Sequence, residues 1–98
     1  MSLYVAASKI ILDYYGNQAL ASKRREIEGL LSDIRRHHNV SAVEVADFDD
    51  LERCVIGLSL SAGTEKTARE AMKKVLEYID SHAFARVVLE DTDVFGYD

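Results

Sequence analysis

The stretch RCVIGLSLS (residues 53–61) alternates between apolar side chains and a set of mostly small ones. Successive side chains of a β-strand point to opposite faces of the sheet, so the stretch predicts a strand with two different faces. One face carries Cys54, Ile56, Leu58 and Leu60, and the other carries Val55, Gly57, Ser59 and Ser61. This alternation decides which side of the sheet meets the core.

Two amphipathic helices flank this central region. The first has an apolar stripe with spacing i, i+3, i+4, i+7, formed by Ile27, Leu30, Leu31 and Ile34. Ser22 is its expected N-cap, and Asn39 is expected to end it. The second helix has a stripe formed by Ala68, Ala71, Met72, Val75 and Ile79, with Thr64 as its cap.

Three further strands complete the pattern. They are predicted at Leu3–Tyr15, ending at the turn residues Gly16 and Asn17, at Val40–Ala46, and from about Ala85 to Val94. The order β-α-β-β-α-β predicts a ferredoxin-like α+β sandwich, in which two helices cover one face of a four-stranded antiparallel sheet. We expect one domain over residues 1–98. The uncovered face must be solvated or closed by a partner, so we expect a homodimer through the sheet.

Charge and composition limit the partners and the compartment. The net charge of −5 over 98 residues disfavours general attraction to nucleic acid or to an anionic membrane, and we expect no DNA binding. No apolar run is long enough to span a bilayer, and the N-terminus lacks the basic region of a signal peptide, so we expect a cytoplasmic protein. The single cysteine, Cys54, is expected to be a small buried apolar residue.

The first predicted helix carries a basic set in this acidic chain, namely Lys23, Arg24, Arg25, Arg35 and Arg36. We call these five residues the basic set. They are candidates for contacting structured RNA or a protein partner, because paired guanidinium groups bind phosphates well. The alternative is an ordinary solvated helix face, in which Glu28 and Asp33 pair with the arginines. Lys23 falls below the apolar stripe, one turn before Ile27.

The histidines and the acidic loop give weak indications of a metal site. His37 and His38 are adjacent and point in different directions, so we expect them, like His82, to interact with a helix C-terminus. The stretch DFDDLE (residues 47–52) lacks the spacing of an EF-hand and is expected to be a hairpin loop with Asp47 or Asp49 capping the turn. No metal is expected.

No enzyme motif is present in the sequence, so we expect no catalytic residue and no cofactor. A remaining alternative is a phosphoryl-binding pair formed by Arg24 and Asn17. Residues 53–61 lack the aromatic motif with which RNA-recognition domains of this fold stack bases. Glu90, Asp91 and Asp93 are expected to form a charged strand that limits aggregation.

Residues 19–58 resemble the YlxP-like family of small bacterial proteins of unknown function. Matches to its pattern are Leu20, Lys23, Arg24 and Arg25, then Asn39, Val40, Ser41, Glu44 and Val45, then Asp49, Arg53, Ile56 and Gly57. Departures are Ala19, Ala21, His38 and Leu51. The resemblance implies a ferredoxin-like fold and a bacterial cytoplasmic protein whose relatives are often encoded beside genes for ribosome maturation. It implies no established activity.

The sequence therefore leaves two functional hypotheses. The first is a non-enzymatic accessory factor that contacts ribosomal RNA or a ribosome-assembly protein through the basic set. The alternative is a homodimeric protein–protein or small-ligand binding module that acts through the open face of the sheet.

Overall fold

The computed structural model describes residues 1–14, 19–82 and 85–98. Its elements are β1 (Leu3–Asp13), α1 (Leu20–His37), β2 (Ser41–Ala46), β3 (Arg53–Ala62), α2 (Glu65–His82) and β4 (Arg86–Tyr97). The predicted element order and the ferredoxin-like fold are confirmed. The predicted turn at Gly16 and Asn17 lies outside the described residues.

The four strands form one antiparallel sheet in the order β2-β3-β1-β4. The central pair β1 and β3 is in continuous register from Tyr4 opposite Ala62 to Asp13 opposite Arg53. Both outer pairs have a register shift, between Glu44 and Ala46 on β2 and beside Ile11 and Leu12 on β1. The edge strands β2 and β4 therefore have an irregularity in their pairing, whereas the pairing of the two central strands is regular.

The core lies between the two helices and one face of the sheet. The predicted inner residues of β3, from Cys54 to Leu60, are all buried, which confirms the face assignment. From the helices, Ile27, Leu30, Leu31, Ile34, Ala68, Met72, Val75 and Ile79 meet them. Val55, on the opposite face of β3, is also only 7% exposed, because it lies in register between Ile11 and Ala46.

The start of α1 differs from the prediction. The helix begins at Leu20 with Ala19 as N-cap and has no side-chain cap, and Ser22 lies inside its first turn. The local capping preference of Ser22 is overridden, since a helix starting at Leu20 brings Lys23 beneath the apolar stripe. The predicted end near Asn39 agrees with the observed C-cap at His38.

The capping of α2 follows the prediction. Thr64 Oγ1 accepts a hydrogen bond from the backbone N–H of Thr67 at 3.1 Å. The strand that follows α2 is longer than predicted and continues past Val94 to Tyr97, because Leu3 at the start of β1 pairs with Tyr97. Neither helix in the described part of the chain is long and apolar enough to cross a membrane.

Removing the hydroxyl of Thr64 tests the capping assignment. We expect Thr64→Ala to lower the free energy of unfolding by about 1 kcal/mol, because the Thr67 N–H loses its partner. Ser22→Ala should change it by less than about 0.5 kcal/mol, since alanine is the better residue inside a helix. Urea unfolding measures both. Equal losses in the two variants would contradict the helix boundaries.

Candidate functional site

The start of α1 and the loop between β2 and β3 meet at one corner of the molecule, where Lys23 is fully buried. Its Nζ donates to the carbonyl oxygen of Asp47 at 2.7 Å and to that of Asp50. These two carbonyls bracket the turn, in which Asp47 has a φ of 60°. The prediction that Lys23 contacts a partner is therefore wrong, because its ammonium group lies inside the protein and holds the loop.

The two arginines after Lys23 lie on the surface beside this loop. Arg24 donates to Asp49 Oδ1 at 2.7 Å, and Arg25 donates to Ser22 Oγ at 3.4 Å. Arg24 thus pairs with the loop rather than with the predicted Glu28. The turn itself is capped by Asp50, whose Oδ1 accepts from the Glu52 N–H at 2.8 Å, and not by Asp47 or Asp49.

The second arginine pair sits at the other end of α1. Arg35 donates to the carbonyl oxygen of Ala42 through Nε at 3.1 Å and through Nη2 at 2.5 Å, which ties α1 to β2. Arg36 pairs with Asp33 at 2.5 Å, as the sequence predicts. Of the basic set, Lys23 is therefore buried, whereas all four arginines are exposed, including Arg35, which also ties α1 to β2.

Beneath the corner lies a buried polar cluster. Cys54 Sγ lies 3.6 Å from Glu44 Oε2, and burial, reinforced by the charge of Glu44, raises the pKa of the Cys54 thiol to about 12. Burial also raises the pKa of Tyr14, with Cys54 and Glu26 adding to the effect. Both groups stay protonated at neutral pH, so neither is an activated nucleophile.

The face of the sheet opposite the helices is not covered by any element of the described chain. We define the open face as the side chains of β1 to β4 that point away from the helices. By register these are Leu3, Val5, Ala7, Lys9, Ile11, Asp13, Ser41, Val43, Arg53, Val55, Gly57, Ser59, Ser61, Arg86, Leu89, Asp91, Asp93, Phe95 and Tyr97. Val45 belongs to it too, because its Cγ1 lies 3.0 Å from the position a Cβ would take at Gly57.

A shallow depression of about 420 Å³ crosses the middle of the open face. Its floor is formed by the small residues Ala7, Gly57 and Ser59, with Val43 on one side and Phe95 on the other. The lack of a side chain at Gly57 keeps this floor low, because a Cβ there would press on Val45. The open face therefore has a groove between two apolar rims.

The histidines cluster where the two helices cross. Tyr78 stacks on His82 with ring centroids 4.0 Å apart and contacts His37 and His38 at 5.1 Å each. His37 Nδ1 lies 2.8 Å from the Asp33 carbonyl oxygen, and His82 Nδ1 lies 2.9 Å from that of Tyr78. Both rings thus bind carbonyls of the last turn, as expected for histidines at helix ends.

Among residues 1–14, 19–82 and 85–98, no three His, Cys, Asp or Glu side chains are arranged to hold a metal ion. Asn17, the suggested phosphoryl-binding partner of Arg24, lies outside the described residues.

The fold and these surfaces define a ferredoxin-like α+β protein with one uncovered sheet face. The chain belongs to the family described as "Protein of unknown function (DUF503)", whose match covers residues 5–92. The expectation of a small protein from a family of unknown function is thus confirmed. No curated protein matches the sequence.

Two solved structures are similar to this chain at low sequence identity. The de novo designed protein Foldit4 is 13% identical with a TM-score of 0.51, covering 98% of this chain and 97% of the other. The de novo designed protein LFR1 1 with ferredoxin fold is 18% identical with a TM-score of 0.44, covering 97% and 85%. The first of these supports the fold and carries no functional information.

Sequence reasoning missed two parts of this arrangement. The wheel position of Lys23 beneath the apolar stripe was the available signal for its burial. The exposed apolar groups of β4 were harder to recognise, since the stretch from Glu90 to Asp93 looks charged until the register places Leu89, Phe95 and Tyr97 on the open face.

The structural role of Lys23 is tested by Lys23→Met, which keeps the aliphatic stem and removes the ammonium group. We expect a loss of about 1–3 kcal/mol in the free energy of unfolding, because two loop carbonyls lose their donor in a buried site. The matched control is Lys73→Met on the exposed face of α2, which should cost less than about 0.5 kcal/mol. Urea unfolding measures the free energy of unfolding of both variants. A Lys23→Met variant as stable as the wild type would show that the buried ammonium group does not hold the loop.

Proposed function

We propose that this protein is a non-enzymatic binding module that pairs with a second copy of itself through the open face. The carrying observation is a set of large apolar side chains that no element of the described chain covers. Each of these side chains is between 44% and 57% exposed. On the open face they are Leu3, Val43, Val45, Leu89, Phe95 and Tyr97. Several large apolar groups exposed on one face of a domain mark an interaction site.

The size of the open face suits a second copy. The strands have 11, 6, 10 and 12 residues. With a rise of about 3.3 Å per residue and a spacing of about 4.8 Å, the open face spans an area of about 600 Å². A standard protein–protein interface buries about 800 Å² on each partner. Face-to-face packing of two such sheets therefore covers the open face with little left over.

The charges of the open face also favour self-association. The chain carries a net charge of −5, so two copies repel each other in general. By register the open face instead has three basic residues, Lys9, Arg53 and Arg86, and three acidic ones, Asp13, Asp91 and Asp93. A two-fold interface needs a surface that complements itself, and a neutral face with both signs of charge meets that need.

The non-enzymatic part of the proposal is supported by the protonation of the buried groups. Burial raises the pKa values of Cys54 and Tyr14, so neither the thiol nor the phenol near the corner is an activated nucleophile at neutral pH. What the geometry offers at neutral pH is a set of surfaces for binding. We place this activity in the cytoplasm.

Phenylalanine substitutions test the dimer directly. Phe95→Asp puts a charge at the rim of the groove, and we expect it to weaken self-association at least tenfold, because a carboxylate must then be buried at the interface. The matched control is Phe48→Asp in the β2–β3 loop, because Phe48 and Phe95 are almost equally exposed, at 48% and 50%.

Sedimentation equilibrium over a range of concentrations measures both variants beside the wild type. The proposal requires a wild-type dimer that survives Phe48→Asp and dissociates in Phe95→Asp. A wild type that stays monomeric throughout would overturn it, and equal weakening by both substitutions would place the interface elsewhere.

A second candidate function uses the exposed arginines of α1. Arg24, Arg25 and Arg36 face solvent, and the pairs that Arg24 and Arg36 form with Asp49 and Asp33 are exposed. Exposed ion pairs contribute little, so phosphate oxygens could replace these carboxylates at low cost. The resemblance to the YlxP-like family, whose relatives are often encoded beside ribosome-maturation genes, makes ribosomal RNA or a ribosome-assembly protein the partner to test.

Charge reversal separates this candidate from the first. Arg25→Glu with Arg36→Glu should abolish co-sedimentation with ribosomal particles from the host lysate, and the wild-type association should weaken with salt. The control is Arg69→Glu with Lys73→Glu on α2, which changes the net charge equally and should leave the association intact. Wild-type protein that does not migrate with particles at low salt would exclude the arginine surface.

A further inference from the structure

A cleft of about 400 Å³ lies between the end of α1, the outer side of α2 and the last residues of β3. It adjoins the open face at Ser61 and lies apart from the exposed arginines Arg24 and Arg25. Its base is apolar and includes Leu60, Ala62, Ala71 and Val75, and its rim carries His38 and Lys74. A volume of this size is typical of a site for a small organic molecule.

Two polar groups at the rim are unused within the described chain. His38 Nε2 is buried and has no hydrogen-bond partner. Lys74 forms none of the ion pairs found between described residues, although its neighbours Lys66 and Arg69 on α2 both do. A buried ring nitrogen without a partner is costly, so a turn of the His38 ring that brings Nε2 to a partner in the adjoining cleft is favourable.

We propose that this cleft binds a small organic anion, with its carboxylate or phosphate held by Lys74 and His38 and its apolar part on the base of the cleft. Asn39, Ser61 and Thr67 add uncharged hydrogen-bonding groups around the rim. Glu70 is the acidic residue of the lining, and its carboxylate lies 3.9 Å from Lys66 Nζ, so its charge is balanced within α2. The positive charge of Lys74 therefore lies beside the proposed position of the anion.

The surroundings of His38 fix the pH dependence of this binding. The groups that face it are His37, Lys74, Tyr78 and, across the cleft, Glu70. Burial lowers the pKa of His38, and the positive charges of His37 and Lys74 lower it further. A bound anion favours the protonated ring, so binding raises the pKa of His38 and becomes tighter as the pH falls through it.

The imidazole signals of His38 report this site, and they are identified by their loss in His38→Gln. The probes are inorganic phosphate and butyrate, with chloride as a control for ionic strength. We expect saturable shifts with at least one probe and a raised pKa of His38 at saturation. The pH dependence is measured with butyrate, because phosphate itself gains a proton over the same range, and butyrate should bind about fivefold tighter near about pH 5.5 than near about pH 8. Phosphate and butyrate together show which oxyanion the cleft prefers.

Two lysine variants distinguish the cleft from general charge effects. Lys74→Met should raise the pKa of the free His38, since a neighbouring positive charge is gone, and should abolish the saturable response. Lys73→Met removes the same charge one residue away and should change neither. Shifts that follow ionic strength equally for chloride, phosphate and butyrate, or that survive Lys74→Met, would overturn the proposal.

Discussion

The architecture rests on one constraint, which is that two helices can cover only one face of a four-stranded sheet. The chain meets this constraint on the inner side, where β1 and β3 place Ile10, Leu12, Ile56 and Leu58 against the helices. On the outer side it places large apolar groups at the edges and small ones in the middle. An outer face built for water would carry polar side chains along all four strands. The proposed self-association follows because the outer face carries large apolar side chains where a solvated face would carry polar ones.

Lys23 changes the interpretation of the basic segment in α1. A buried ammonium group is tolerated only when it is hydrogen-bonded, and here two carbonyls of the β2–β3 loop meet that condition. These two hydrogen bonds offset the cost of burying the ammonium group. They also order the loop, in which Asp49 pairs with Arg24. Arg35 has a comparable role at the other end of α1 through Ala42. Part of what resembles a binding surface in the sequence is therefore internal support.

The fold was predictable from local patterns because the alternation of residues 53–61 and the stripes of both helices reflect burial directly. The start of α1 was not, because Ser22 has a stronger local capping preference than Ala19, yet the helix begins at Leu20. The extent of β4 and the membership of the open face depend on pairing with β1, whose partner residues are between 73 (Asp13 and Arg86) and 94 (Leu3 and Tyr97) positions away in sequence. The cleft beside His38 also depends on how α2 packs against the end of α1. Sites of this kind arise from tertiary placement and leave no periodic signal.

The most direct test of the central claim is an isotope-filtered NOE experiment on an equal mixture of ¹³C-labelled and unlabelled protein, which detects contacts between two copies alone. The account predicts intermolecular NOEs from the side chains of Val43, Phe95 and Tyr97 to residues of the open face of the second copy. Intermolecular NOEs from the helices would contradict it. The absence of any intermolecular NOE at the high protein concentration of the NMR sample would contradict it as well.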